Sequence, residues 1–496
     1  MKTAALTLAL ALTGISACPL RSADKPNLVF ILADDLGYRE LGCYGQEKIR
    51  TPRIDALASR GMRFIRAYSG NAVCAPSRCV LMTGRHPGHA TVRDNVAMEP
   101  EGQYPLNDGD ITLAELLQSQ GYVCGAFGKW GLGNTGSTGN PLRQGFDRFF
   151  GYNCQAHAHS YYPATLWSDN EIFPLKNDPP VPGHAGLAEG ADPSDPRSYA
   201  AFQGQDYAPD RIHEAALEFL RKNKDRPFFL HYPSIMPHVA LQVPEVELAP
   251  YHALGWNDPP FTREKKGYTP HFTPRAAYAA MISHLDRQVG ELVDLIDGLG
   301  LGENTIIVFT SDNGTTHLRD EVDAGFFKSV GELRGLKGDL YEGGVRIPQI
   351  VRWTGRIAAG STSGRVTGFE DWLPTMLDLA GASAEIPDDI DGISFAPTLL
   401  GEPQPEREFL YREFRSYGGQ QTVWLGNRWK GIRTGLNKKN TEPDFSVALY
   451  DLVADPSESR DVAADHPEIV KEVEAILRRE HRDSEAFPFP ALDGQR

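Results

Sequence analysis

Hydrophobic runs that are apolar on both faces alternate with segments of helical periodicity along most of the chain. Three of these runs, at residues 26–33, 227–232 and 305–310, are typical of central strands that helices cover on both sides. The alternation predicts an α/β fold over residues 25–400, built on a large, mostly parallel central sheet flanked by helices.

Two helices have clear ends in the sequence. Thr112 and Glu115 have the spacing of a capping box, which predicts a helix that stops at Gly121. Pro274 suits a first helical turn, and the helical pattern that it opens runs to about Gly298.

The pattern changes beyond about residue 400, after the Gly- and Pro-containing segment 401–405, which we interpret as a linker. Residues 467–479 have the periodicity of one amphipathic helix. Three short runs predict antiparallel strands, at residues 409–414, 421–433 and 448–452. We therefore expect a smaller C-terminal α+β domain over residues 405–490 that carries a short antiparallel sheet.

Composition limits the classes of partner. The chain has 496 residues, of which 41% are hydrophobic, so it can bury a large core. Its 50 Lys and Arg against 65 Asp and Glu give a net charge of −15, with no long basic run. Nucleic acid is therefore not an expected partner. An anionic small substrate is still compatible, because cations can converge in one pocket.

The N-terminus has the pattern of a secretory signal. Lys2 precedes a short apolar stretch at residues 3–15, and the small residues Ser16 and Ala17 lead to Cys18. We expect residues 1–18 to be a signal peptide, and the mature protein to be exported across the inner membrane to the periplasm. The same segment is similar to a lipoprotein signal, in which Cys18 would carry a lipid anchor. Ordinary cleavage near Ala17 is the alternative.

All six cysteines lie in the first third of the chain, at positions 18, 43, 74, 79, 124 and 154. Apart from Cys18 and Cys74, four remain that could pair in an oxidising compartment. They could equally be buried free thiols, and the sequence does not distinguish the two.

Two predicted strands end in acidic residues. Asp34 and Asp35 follow the first strand, and Asp312 and Asn313 follow the strand near residue 305. In parallel sheets, ligands bind beyond the carboxyl ends of strands, so the two clusters can share one site. Carboxylate and amide oxygens suit Ca²⁺ or Mg²⁺ better than Zn²⁺. The alternative is that these acids only cap turns.

A third element is the run Cys74-Ala75-Pro76-Ser77-Arg78, which Thr83 and Gly84 follow after four more residues. This pattern resembles the signature of the type I sulfatases of the alkaline phosphatase superfamily. The resemblance implies an alkaline-phosphatase-like fold. It also implies that a formylglycine-generating maturation enzyme converts Cys74 to Cα-formylglycine. A helix that begins near Pro76 would put residue 74 at its positive end, where an anion is stabilised.

Further motifs extend the similarity over roughly residues 26–380. They are Gly128-Lys129-Trp130, Met236-Pro237-His238, Gly335-Leu336-Lys337-Gly338 and the run from Tyr341 to Arg346. The family resemblance implies that one Ca²⁺ is held by Asp34, Asp35, Asp312 and Asn313 together with residue 74.

The resemblance also implies a mechanism of sulfate monoester hydrolysis that releases inorganic sulfate. Arg78 would steady the nucleophile, while Lys129 and Lys337 would neutralise sulfate charge. His238, with Lys337, is our candidate for the acid that protonates a departing sugar oxygen. The expected substrate is a sulfated oligosaccharide or polysaccharide, with galactose or N-acetylgalactosamine 4-sulfate as the sugar suggested by similarity.

One position departs from the family pattern: many sulfatases have His two residues after the signature lysine, where this chain has Gly131. His157 and His159, if extended, would face one way and could replace it or contact the sugar. We select His159 as the substrate-binding candidate and interpret His157 as an ordinary loop residue. The alternative functions are a phosphonate monoester hydrolase or phosphodiesterase, and a catalytically silent carbohydrate-binding relative.

Overall fold

The computed structural model describes residues 25–99, 101–263 and 267–495. The predicted signal peptide and Cys18 lie outside the described residues, so both stay predictions. Within the described ranges, no helix has the length and apolar character needed to cross a membrane.

The core of the molecule is one mixed sheet of eleven strands. Its strands are β1 (Asn27–Ala33), β2 (Met62–Tyr68), β3 (Val123–Lys129), β4 (Arg148–Tyr152), β5 (Thr165–Ser168), β6 (Glu171–Pro174), β7 (Phe228–Pro233), β8 (Thr305–Ser311), β9 (Arg346–Trp353), β10 (Ser361–Ser363) and β11 (Thr367–Gly368). The order is β10-β2-β9-β8-β1-β7-β3-β4-β5-β6, and β11 pairs with β2. The central run β8-β1-β7-β3-β4 is entirely parallel, as predicted, whereas β9, β5 and β6 pair antiparallel with their neighbours.

Helices cover both faces of this sheet. The α-helices are α1 (Pro52–Ser59), α2 (Cys74–Thr83), α3 (Leu113–Ser119), α4 (Ala208–Asn223), α5 (Glu245–His252), α6 (Pro274–Gly298), α7 (Ala324–Phe327), α8 (Glu342–Val345), α9 (Trp372–Leu379), α10 (Ala396–Leu399) and α11 (Pro467–Arg479). Successive residues of β1 belong to different cores: Val29 and Ile31 pack with α1, α4 and α6, and Leu28 and Phe30 pack with α2, α3 and α9. This two-sided burial explains why the strand is continuously hydrophobic. The capping box predicted at Thr112 is present and opens α3.

The C-terminal region has its own four-stranded antiparallel sheet, in the order β12-β13-β14-β15. These strands are β12 (Phe409–Phe414), β13 (Gln420–Leu425), β14 (Trp429–Thr434) and β15 (Ala448–Asp451). The predicted run at 421–433 is therefore a hairpin of two strands, which turns at Gly426 with a φ of +55°. One face of the sheet packs against α11 through Val473 and Leu477.

The other face of the small sheet packs against the large domain. Leu410 and Trp424 share a core cluster with Leu340, which follows the predicted site residue Lys337 closely in the chain. The Lys430 ammonium, fully buried, pairs with the carboxylates of Glu342 at 3.1 Å and Glu458 at 2.8 Å. The small sheet is therefore anchored beside the segment that carries Lys337, and the domain boundary near residue 400 stays a prediction.

The five described cysteines are all free thiols, and four of them are buried. Cys79 and Cys124 are fully buried in one hydrophobic core. Of the two alternatives that the sequence allowed for these cysteines, the structure therefore has free thiols and not disulfides.

Candidate active site

The acidic residues predicted to share a site do converge, because their strands are neighbours. Parallel pairing of β1 and β8 places Ala33 opposite Ser311, so Asp34-Asp35 and Asp312-Asn313 leave the sheet at the same edge. Asp35 has a φ of +65°, which is uncommon for a residue with a side chain. Its backbone N–H donates to Asp312 Oδ1 at 3.2 Å, which links the two strand ends.

The amide of Asn313 has a free acceptor in this cluster. Its Nδ2 donates to Asp35 Oδ1 at 2.7 Å, which fixes the orientation of the amide. Its Oδ1 is buried without a hydrogen-bond partner. A buried acceptor without a donor is unfavourable unless something else satisfies it, and a cation does so. The three neighbouring carboxylates complete an oxygen donor set that fits a hard cation such as Ca²⁺.

Candidate ligand atoms of Asp34, Asp35, Cys74 and His238 lie within 4.8 Å of one another. Asp312 is outside this tightest group, and its Oδ2 accepts two bonds from Arg78, at 2.7 and 3.1 Å. The structure therefore brings all five predicted metal-binding positions to one edge of the sheet. Asp312 is in addition ion-paired with Arg78.

Cys74 begins helix α2 itself, two residues earlier than the start near Pro76 that we expected. The Asn95 side chain accepts from the Ala75 N–H at 3.0 Å and so satisfies one free amide of the first turn. The Cys74 Sγ stands here for one of the two hydroxyl oxygens that Cβ would carry after modification and hydration. Burial, together with nearby Asp34, raises the pKa of the thiol to about 12. An unmodified Cys74 is thus a weak nucleophile.

Two buried ammonium groups flank residue 74. Lys129, at the end of β3, places its Nζ 3.4 Å from Cys74 Sγ and 2.6 Å from Asp34 Oδ2. Lys337 places its Nζ 3.8 Å from the same sulfur and 2.8 Å from the Asp35 carboxylate. Burial alone would lower both lysine pKa values, but the adjacent carboxylates outweigh it and raise them. Both lysines therefore remain charged.

Arg78 lies one turn further along α2 and is almost completely buried. Its guanidinium donates to Asp312 and to the backbone carbonyl of Lys129, and it lies 3.6 Å from Asp34 Oδ2. Arg78 thus holds the strand ends and the Lys129 backbone in place. In this geometry, Arg78 would steady the nucleophile indirectly, by holding Asp312 and the Lys129 backbone.

His238 follows β7 and faces the same cluster. Its Nδ1 is bonded to the Val239 carbonyl, which can only accept, so Nδ1 carries the proton. Its Nε2 lies 3.6 Å from Asp35 Oδ2. Burial, with nearby Lys337, lowers the pKa of His238 well below its ordinary value. The resting imidazole is neutral, and a bound anion would favour its protonation.

The two histidines of the 154–163 segment point in different directions. They lie in a short 3₁₀ helix, His157–His159, and not in an extended segment, so the expectation that they face one way is wrong. His157 pairs with Glu101 at 3.1 Å. The His159 ring instead stacks on His238, with centroids 5.1 Å apart and an interplanar angle of 6°. His159 therefore borders the candidate site.

A side chain at Gly131 would require the end of the Gln155 side chain to move and would strain the backbone. A Cβ there would approach Gln155 Nε2 to 2.4 Å, and the glycine has a φ of +78°. Gln155 therefore occupies the space in which the family histidine would begin. No local feature of the sequence singles out Gln155.

These side chains surround a pocket of about 390 Å³. One part of its wall is formed by Cys74, Lys129, His159, His238 and Lys337. Other wall residues were not predicted from the sequence, and they include Gln103, Gln155, Tyr268, His317 and Tyr417. These residues come from separate loops, and Tyr417 comes from the C-terminal region.

The family model "Sulfatase" matches residues 26–382, which is more than half of the chain. The chain belongs to the sulfatase family. A second model, "N-sulphoglucosamine sulphohydrolase, C-terminal", matches residues 336–484 of this sulfatase. The resemblance predicted from the motifs is thus confirmed, and the activity class is that of a sulfuric ester hydrolase.

Relatives of the sulfatase differ in the substrates that they are named for. Human arylsulfatase A is 34% identical over 89% of this chain and 79% of its own. The N-acetylgalactosamine-6-O-sulfatase of Bacteroides thetaiotaomicron is 29% identical over 92% of this chain and 93% of its own. Mouse steryl-sulfatase is 30% identical over 96% of this chain and 85% of its own.

Solved structures agree with the fold. Ps i-CgsB in complex with k-i-k-neocarrahexaose is 25% identical, with a TM-score of 0.74 over 92% of each chain. The phosphonate monoester hydrolase of Agrobacterium radiobacter is 21% identical, with a TM-score of 0.61 over 94% of this chain and 99% of its own, and shares the fold. The alkaline-phosphatase-like α/β architecture is confirmed.

Proposed function

We propose that this sulfatase hydrolyses sulfate monoesters of a sulfated oligosaccharide or polysaccharide, with formylglycine at position 74 and one Ca²⁺. The observation that carries the proposal is the convergence of two charged lysines on residue 74. Their Nζ atoms lie 3.4 and 3.8 Å from Cys74 Sγ, at the positive end of α2 and inside a pocket. Such a site stabilises an anion next to the reacting atom.

The environment of residue 74 supports modification over thiol chemistry. A buried thiol whose pKa is raised to about 12 offers almost no thiolate near neutral pH. The hydrated aldehyde of formylglycine supplies an attacking hydroxyl and a second hydroxyl whose deprotonation expels sulfate. Lys129 and Lys337 bind the sulfate oxygens and hold the ester in line with that hydroxyl.

Calcium fits the oxygen donors of the cluster. Asp34, Asp35, Asp312 and Asn313 would hold the ion, and the free Oδ1 of Asn313 supports this assignment. When bound, the ion supplies positive charge next to the sulfate.

His238 would protonate the sugar oxygen as it leaves. A bound sulfate ester adds negative charge near Nε2 and so raises the pKa of His238 from its low resting value. His159 stacks on this ring and would contact the sugar, while its own pKa is lowered by burial and by His238. His159 is therefore neutral, and we assign it to binding and not to proton transfer.

A carbohydrate substrate is supported by one relative named N-acetylgalactosamine-6-O-sulfatase and by the oligosaccharide complex of Ps i-CgsB. We further propose that a formylglycine-generating enzyme matures the protein. The N-terminal signal would direct it to the periplasm, and cleavage before Cys18 would leave this residue to carry a lipid anchor.

The test is to produce the protein with and without a formylglycine-generating enzyme and to measure the mass of the peptide that carries residue 74. Activity would be assayed on galactose and N-acetylgalactosamine 4- and 6-sulfates, an aryl sulfate and a phosphonate monoester. We expect aldehyde formation and sulfate release to rise together. A purely thiol-containing protein with full activity would contradict the formylglycine assignment. Preference for the phosphonate ester would instead favour the alternative hydrolase.

A further inference from the structure

Tyr417 is an exposed aromatic residue at the mouth of the pocket. It lies in the turn between β12 and β13, with 52% of its surface exposed, and it lines the same pocket as Cys74 and Lys337. A large aromatic ring left in water is unfavourable unless it has a partner. A ring in this position can contact a ligand that enters the pocket.

The turn holds the ring in a defined position. Tyr417 has a φ of +51°, a left-handed conformation that costs free energy for a residue with a side chain. The turn is tied down by a hydrogen bond from the Ser416 hydroxyl to Asp94 and by one from the Asn437 N–H to the Gly418 carbonyl at 2.7 Å. The strained backbone is thus supported by contacts on two sides.

The ring has two aromatic neighbours, and 52% of the residue stays exposed beside them. His317 meets the ring edge-on with centroids 5.3 Å apart, and Phe414 stacks against it at 5.7 Å with an interplanar angle of 28°. Gly338 has a φ of +93°, and a Cβ there would come within 2.6 Å of the ring. Gly338, which follows Lys337, therefore leaves room for the Tyr417 ring from the C-terminal region.

Beside the pocket lies a second cavity of about 550 Å³, and the two share His317 and Leu318. Phe261 and Arg319 form part of the wall of the second cavity. Because Tyr417 contacts His317, its ring lies on the side of the pocket that borders the second cavity. The space is suited to a ligand longer than one sugar.

We propose that Tyr417 is a stacking platform for the sugar ring next to the sulfated one, so that the sulfatase binds an oligosaccharide through its C-terminal sheet as well as its catalytic domain. The apolar face of a pyranose packs on an aromatic ring, while the hydroxyls at its edge remain hydrated. The proposal rests on the proposed carbohydrate substrate and specifies its minimum length as two sugars.

The test compares Tyr417→Asn, Tyr417→Phe and the wild type on a sulfated tetrasaccharide, the matching sulfated monosaccharide and an aryl sulfate. Asparagine tolerates the left-handed backbone, so Tyr417→Asn removes the ring with little added strain. We expect the ratio of kcat/KM for the tetrasaccharide to that for the aryl sulfate to fall roughly three- to tenfold, mainly through KM. Tyr417→Phe should restore the ratio, because the ring and not the hydroxyl makes the contact.

A matched control is Phe173→Ala, which removes an exposed aromatic residue on the edge strand β6, outside the lining of the pocket. Binding of the tetrasaccharide to Cys74→Ala protein, with and without Tyr417→Asn, gives a readout that does not need turnover. Equal losses on all three substrates, or no loss on any, would overturn the platform. Failure of the proposed function would look different, because the wild type itself would then release no sulfate from carbohydrate.

Discussion

Replacement of His238 tests whether this residue protonates the leaving group or only binds sulfate. Its Nδ1 is committed to the Val239 carbonyl, so only Nε2 can exchange a proton with a ligand in the pocket. The other candidate acid is Lys337, which is ion-paired with Asp35 and has a raised pKa. Lys337 is therefore a poor proton donor, and His238→Ala leaves the leaving oxygen without effective help.

The expected loss depends on the leaving group. A sugar alkoxide is a poor leaving group, so loss of its acid should lower kcat/KM about a hundred- to ten-thousand-fold. A phenolate leaves without much help, so the loss on an aryl sulfate should be much smaller. His238→Gln should resemble His238→Ala on the sugar ester, because an amide can donate a hydrogen bond but cannot transfer the proton.

The assay is kcat/KM of the wild type and both variants on a sulfated sugar and an aryl sulfate at several pH values. His213→Ala is a suitable control, since it removes a buried imidazole that pairs with Glu291 and is absent from the lining of the pocket. Equal losses on the two esters would refute the acid role. The acid assignment would then shift to Lys337 despite its raised pKa, and the sulfatase assignment itself would stand.

Three further predictions test the rest of the site and its support. Cys74→Ala should abolish turnover. It should change the free energy of unfolding, measured by thermal denaturation, by less than about 1 kcal/mol, because Ala has good helix propensity. Wild-type rates in the folded variant would contradict the assignment of residue 74 as the nucleophile. Exhaustive chelation should abolish activity, and Ca²⁺ should restore it better than Zn²⁺; full activity in a metal-free protein would reject the ligand set. Lys430→Met should lower the free energy of unfolding by about 3 kcal/mol in urea titrations, because Glu458 stays buried without its cation and Glu342 keeps one cation, Arg346, at 3.4 Å. The exposed Arg428→Met is its control, and equal effects would contradict the argument.

Elements with strong local signals were predictable from the sequence alone. The limits of α6, α11 and β12 match the expected residues because proline starts, apolar periodicity and flanking polar residues are all local features. We could predict that Asp34-Asp35 and Asp312-Asn313 lie together, because the carboxyl ends of parallel strands meet at the same edge of a sheet. Residue 74 and both lysines could be predicted as neighbours in one site because their motifs are contiguous in the chain, and the structure brings the three together.

Only the tertiary structure decided which side chains meet across long separations. A one-turn 3₁₀ helix sends His157 to Glu101 and His159 to His238, although spacing alone suggested a shared direction. Gln155 fills the space beside Gly131 because two loops pack together there.

The wall formed by Tyr417 depends on docking of the small sheet against the large domain, to which the buried Lys430–Glu342 ion pair contributes. Such contacts are a property of packing between distant segments, and no local pattern encodes them. The sequence by itself therefore determined the chemistry of the site, and the packing of distant loops decided what surrounds its substrate.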